Sequence, residues 1–234
     1  MDQENFFDFD RNESLPVSDY DLRIRQVVPG YEAIFNMVMA MLNQSLSQHG
    51  KILIVGAGNG TEICVFAHQS EWQMIAVDPS EKMLEIASSK VASLDLSQRV
   101  QLIKGIVSDI PETTICDVAT SILVMHFIAD DGSKLSYLKS IYQRLKKGST
   151  LFLVDFCGQR NTEEFDLFLS AWKSHAINSG APPPLINEQA KTIIPSLSFV
   201  TENRVVELLK EAGFVQVTQF YKAFMYCGWV AAKT

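Results

Sequence analysis

The chain has 234 residues, 47% of them apolar, and a formal net charge of -7. That is enough apolar material for one sizeable core, and the acidic balance argues against a broad nucleic-acid-binding face. No run of 18 or more apolar residues appears, and the acidic start Met1-Asp2-Gln3-Glu4-Asn5 lacks the basic-then-apolar order of a signal peptide, so neither a membrane span nor secretion is expected.

Residues 1 to about 25 read as a polar, acidic arm with scattered aromatics at Phe6, Phe7 and Phe9, either loose or folded over a site as a lid. Val28-Pro29-Gly30-Tyr31 is a turn, and it leads into an amphipathic helix with Ile34, Val38, Met41 and Leu42 on one face. Lys51 to Val55 is an apolar, β-branched run, the pattern of a buried parallel strand. It breaks into Gly56-Ala57-Gly58-Asn59-Gly60-Thr61, a G-x-G-x-G turn at the start of a helix. A second strand runs from Trp72 to Asp78, ending on an acid about 20 residues after the glycines. Ser80 caps a helix that turns Met83, Leu84 and Ala87 inward, and Val100 to Lys104 is a third strand.

Val118 to Leu123 reads as the fourth strand. A helix follows through Leu135, Leu138, Ile141 and Leu145, stopping at Lys146-Lys147-Gly148 with cations on its last turn and glycine beyond. Thr150 to Asp155 is the fifth strand. The stretch 157-198 carries a helix near Phe165, Leu169 and Trp172 and a break at Pro182-Pro183-Pro184. A helix capped by Thr201 closes on Ala212-Gly213-Phe214. Strands Val215–Tyr221 and Phe224–Ala232 finish the chain as an antiparallel hairpin, because too little chain separates them for a parallel crossover. The repeating βα rhythm predicts an α/β, Rossmann-like doubly wound sheet of seven mostly parallel strands in one domain over 1-234. Within it, 1-49 forms an N-terminal arm and lid helix, and 157-198 a helical insertion. Cys64, Cys116, Cys157 and Cys227 lie far apart in apolar segments and read as free thiols of a reducing, cytoplasmic compartment.

In such a sheet a ligand sits beyond the carboxyl ends of the strands, where their order reverses. Gly56, Ala57, Gly58, Asp78, the 105–110 turn, Ser121 and Asp155 then surround one crevice. A strand, a glycine turn and an acid closing the next strand suit an adenosine-type cofactor, the acid meeting the ribose hydroxyls. The dinucleotide fingerprint G-x-G-x-x-G would need a third glycine at Thr61. The G-x-G-x-G spacing instead resembles the class I S-adenosylmethionine (SAM)-dependent methyltransferases. That resemblance implies SAM as cofactor and methyl transfer to a small molecule, with no partner among nucleic acids or membranes and assembly as a homodimer left open. Asp78 would hold the ribose, Pro79 and Met83 cover the adenine, the Val107 backbone donate to its ring and Asp109 accept from its amino group.

Val28-Pro29-Gly30-Tyr31, the glycine turn, Ala76-Val77-Asp78 and Ala212-Gly213-Phe214 are together similar to the carboxy-SAM synthase group, whose members convert SAM, with prephenate, into a carboxylated SAM. By that resemblance Tyr31 would reach over the cofactor. Two departures stand against the group's chemistry: Ile106 occupies the place of its usual acid, and Leu208 that of the arginine for the extra carboxylate. Arg204, one helical turn earlier, could substitute only by reaching differently. His126, after the fourth strand, is the candidate general base, and Trp172 and His175 are candidate substrate contacts under a helical roof. Asp130-Asp131 reads as a helix start rather than a metal site. A SAM-binding protein without catalysis is the reading from a different class.

Overall fold

The first strand forms because Ile52, Leu53, Ile54 and Val55 are branched or bulky and every one is buried, which a strand covered on both faces requires. The computed structural model describes residue 10 and residues 19–67 and 71–234; the expected aromatic arm around Phe6, Phe7 and Phe9 lies outside the described residues. In chain order the elements are α1 (Tyr20–Val27), α2 (Tyr31–Ser45), β1 (Lys51–Val55), α3 (Thr61–Ala67), β2 (Gln73–Asp78), α4 (Glu81–Ser93), β3 (Val100–Lys104) and β4 (Cys116–Ile122). They continue as α5 (Ser133–Gln143), β5 (Leu145–Phe156), α6 (Glu163–Asn178), α7 (Pro183–Ser196), α8 (Glu202–Glu211), β6 (Phe214–Ala223) and β7 (Tyr226–Lys233). No described helix is long and apolar enough to cross a membrane.

The seven strands form one sheet in the order β3-β2-β1-β4-β5-β7-β6. The first five run parallel, while β7 is antiparallel to both β5 and β6. The sheet is therefore the Rossmann-like arrangement expected from the βα rhythm, with the terminal hairpin as its one reversal. Strand order reverses between β1 and β4, so a crevice opens at their carboxyl ends. Helices cover both faces. Leu53, Leu151 and Leu153 pack with Leu138, Ile141, Val205 and Leu209 on one side, and Ile52 and Ile54 with Val38, Leu42 and Phe66 on the other. Each such full burial contributes roughly 1.5–3 kcal/mol.

Three local differences from the sequence reading have physical causes. Residues 20–27 are helical: Asp21 accepts from the Thr61 hydroxyl and from Lys90, which ties α1 to α3 and α4. Lys146-Lys147-Gly148 belongs to a strand rather than to a helix end, because β4 pairs as early as Cys116 with Leu145 and Lys146 reaches Asp117 at 2.5 Å. The run Pro182-Pro183-Pro184 starts α7 rather than breaking the segment, since proline at a helix's first position gives up an N–H that had no partner there.

Candidate functional site

The glycine turn after β1 is shaped by three left-handed residues: Gly56, Gly58 and Gly60 have φ of 78°, 50° and 80°. A Cβ on Gly56 would collide with Val124, and one on Gly60 would lie 3.0 Å from Ala87 of α4. The third glycine thus allows close approach of α4. Gly58 differs, since a Cβ there would meet nothing within 4 Å and the residue borders a cavity. Asp78 anchors the turn: one carboxylate oxygen accepts from Gly58 N–H at 2.8 Å and the other from Ser80 N–H at 2.9 Å. Burial raises its pKa, and those two N–H groups oppose the rise by favouring the charged form. Asp10 caps the neighbouring helix, accepting from the Ser80 hydroxyl and from Glu81 and Lys82 N–H.

The cavity at the carboxyl ends of the strands has a volume of about 260 Å³. Of the residues expected around a cofactor, Gly56, Gly58, Asp78, Pro79, Met83 and Val107 line it. Ala57 and Tyr31 line an adjoining hollow instead, where the Tyr31 ring packs edge-on against Phe35 at 4.9 Å. Asp109 and Ser121 line neither. The Asp109 carboxylate turns back to accept from Ile106 N–H at 2.8 Å, the turn role of an acid three residues on, and Ser108 takes its place on the wall. The Ser121 hydroxyl meets Tyr137 Oη at 2.7 Å, and it is Tyr137 of α5 that lines the cavity there.

Much of the remaining lining is apolar and aromatic, with Phe127, Phe156, Trp172, Ile193, Leu197 and Tyr226. Trp172 sits there with its indole N–H on the Val27 carbonyl at 2.7 Å, locking α6 to α1. His175 does not line it; the imidazole lies edge-on to Phe224 at 6.2 Å. Gln189, Ile193 and Ile194 come from α7, which the proline run had concealed.

His126 occupies a short 3-10 turn (Met125–Phe127) and lines the same cavity, 6% exposed. Asp155 at the end of β5, fully buried, accepts from His126 N–H at 3.0 Å and lies 2.5 Å from its Nδ1 with the same oxygen. An Nδ1–H donated to a carboxylate leaves the lone pair on Nε2. Three further bonds fix the turn. Buried Lys134 donates to the Met125 and Ile128 carbonyls at 2.6 and 2.7 Å, and Ser198 N–H donates to the His126 carbonyl at 2.7 Å. Leu123, just before the turn, sits at φ 61°, a strained value for leucine.

A family model described as a methyltransferase domain matches residues 52–148, the span from β1 to the start of β5. A carboxy-S-adenosyl-L-methionine synthase of Shewanella loihica is 30% identical over 215 residues, covering 90% of this chain and 87% of its relative. The chain belongs to the class I SAM-dependent methyltransferases. A solved SAM-dependent methyltransferase of Methanococcus maripaludis, described as putative in function, superposes with a TM-score of 0.63 at 20% identity, covering 100% of this chain and 98% of the other. An N-methyltransferase of Haemonchus contortus, in complex with phosphomonomethylethanolamine and S-adenosylhomocysteine, gives 0.68 at 14% identity over 96% of this chain and 59% of the other. These two likenesses speak to the fold.

SAM is therefore the methyltransferase's cofactor, and the residues present fit it. Asp78 offers a fixed carboxylate on the cavity wall, the backbone at Gly58 leaves open space beside it, and Pro79 and Met83 give apolar surface for a flat base. The arginine question has a structural answer: Leu208 is fully buried in the core, and Arg204 is held by Asp130, Glu207 and Glu211, away from the cavity lining. Arg23 of α1 is the arginine that lines the cavity.

Proposed function

We propose that this methyltransferase acts on a small, largely apolar acceptor bearing an ionisable hydrogen, held against the aromatic lining of the cavity with His126 as general base. The observation that carries the reading is the His126–Asp155 pair, buried and short, with His126 on the wall of the cavity that the glycine turn, Asp78 and the aromatic residues also line. Bound SAM supplies an electrophilic methyl group on a sulfonium. Asp78 and the glycine turn would hold its nucleoside end, and fixing both reactants in one cavity would lower the barrier by proximity. Asp155 keeps the His126 proton on Nδ1, and Nε2 takes the acceptor's proton as the new bond forms. Segment 157-198 roofs the acceptor through Trp172, Ile193 and Leu197, excluding water. Tyr137, whose pKa burial raises, stays a neutral hydrogen-bonding hydroxyl.

Carboxy-SAM synthesis is the second reading, favoured by the similarity over nine-tenths of the chain and by Arg23 on the cavity wall. Its weakness is that neither Leu208 nor Arg204 offers the cavity a cation.

Asp155→Asn tests the base assignment. It should lower kcat by a factor on the order of 10²–10⁴, as expected when a base loses its productive tautomer, while S-adenosylhomocysteine affinity stays within twofold. An unchanged kcat would remove His126 from the chemistry.

A further inference from the structure

We propose that Glu62, on the first turn of α3, is the counter-ion for the α-ammonium group at the methionine end of the cofactor. This rests on the SAM assignment and adds to it a residue that carries no motif of its own.

A second hollow of about 30 Å³ adjoins the main cavity and shares Tyr20, Gly56, Gly58, Ile122 and Leu123 with it. It has room for one small polar group. Were the nucleoside end held at Asp78, Pro79 and Met83, Gly56 and Gly58, which line both hollows, would bring the other end of the cofactor beside this one. Glu62 lines it while 5% exposed, and its Oε1 is buried with no hydrogen-bond partner among the described residues. The hydroxyl of Thr120 on β4, which favours the charged carboxylate, is buried beside it. A buried acceptor left unpaired is costly, so such groups mark places where something else binds.

The hollow's lining includes no lysine or arginine among the described residues. The titratable groups that face Glu62 are Tyr31 of α2, Tyr20 of α1 and Tyr137 of α5, and Asp21 of α1 acts on Tyr31. Burial raises all three phenols, which keeps them neutral, and Asp21 is engaged by Lys90 and Thr61. With no protein cation on this lining, the cation that would pair with ionised Glu62 is assigned to the ligand. Burial also raises the Glu62 pKa to about 7, so the free protein holds much of this side chain protonated near neutrality. When the ammonium arrives, Glu62 ionises and its proton passes to solvent.

The test is calorimetric titration of the full chain with S-adenosylhomocysteine and with 5′-methylthioadenosine, which lacks the amino-acid end, in buffers of different ionisation enthalpy. Wild type should release a fraction of a proton on binding S-adenosylhomocysteine near pH 7, and none on binding methylthioadenosine. Glu62→Gln should weaken S-adenosylhomocysteine at least tenfold, abolish the proton release and leave methylthioadenosine affinity unchanged. Equal weakening of both ligands, or unchanged S-adenosylhomocysteine affinity, would overturn the proposal. The wild-type proton count decides the matter if the variant does not fold. Failure of wild type to bind either ligand would instead strike at the SAM assignment itself.

Discussion

A single glycine separates a backbone requirement from a ligand requirement in this site. Gly58 has φ 50° and open space where a Cβ would stand, so Gly58→Ala should cost the fold only about 1–2 kcal/mol. The added methyl would still narrow the cavity that Gly58 borders. S-adenosylhomocysteine affinity should then fall at least tenfold while the circular dichroism spectrum is unchanged; full affinity would show that the ligand does not pass this residue. The glycine turn and Asp78 are legible in the sequence because both depend on local spacing. Asp109 has a local partner as well: an acid three residues after the start of a turn accepts from the Ile106 N–H and lies outside the cavity lining. His126 is visible as a candidate, but its partner is not. Asp155 lies 29 residues on and reaches it only because β4 and β5 are neighbours in register, Ile122 beside Val154. Glu62 carries no sequence signal at all, since burial without a partner is a property of the folded chain.

At the scale of elements, the His126 turn is held by α5 through Lys134, whose ammonium is buried on two carbonyls of that turn. Burial lowers the Lys134 pKa, while the Asp155 and Asp130 carboxylates oppose the fall. Lys134→Met keeps the apolar stem and removes both bonds. It should destabilise by about 1–3 kcal/mol, the cost of unpaired buried carbonyls, and lower kcat more than cofactor affinity, read from thermal melts and steady-state kinetics. An unchanged kcat would mean the turn holds its shape without the lysine. Strands and helices of regular period are plain in the sequence. The helices bordering the cavity are harder to read, because their signals conflict locally: α1 is polar, with no fully buried residue, and α7 opens on consecutive prolines. Both owe their place to tertiary contacts, such as Asp21 with Lys90 and Trp172 with the Val27 carbonyl.

Across the whole molecule, pH joins stability to ligand binding. The Glu62 pKa rises from an ordinary 4.5 to about 7 on folding, so the folded state holds that proton more tightly than the unfolded chain. Its contribution is fully present below about pH 4.5 and is lost as pH climbs through about 7. The ligand-free melting temperature should carry a downward component over that window, one that Glu62→Gln removes and saturating S-adenosylhomocysteine reduces. A wild-type profile identical to the variant's would place the Glu62 titration outside this window. The central proposal is methyl transfer in the one cavity that the SAM corner and the aromatic residues line, with His126 as base. Its most direct test is mass spectrometry of small molecules after incubating the chain with methyl-labelled SAM, a panel of phenolic and carboxylic acceptors, and prephenate. The labelled methyl group should appear on an acceptor, with S-adenosylhomocysteine formed alongside. Label retained on a carboxylated SAM, with no methylated acceptor, would contradict it.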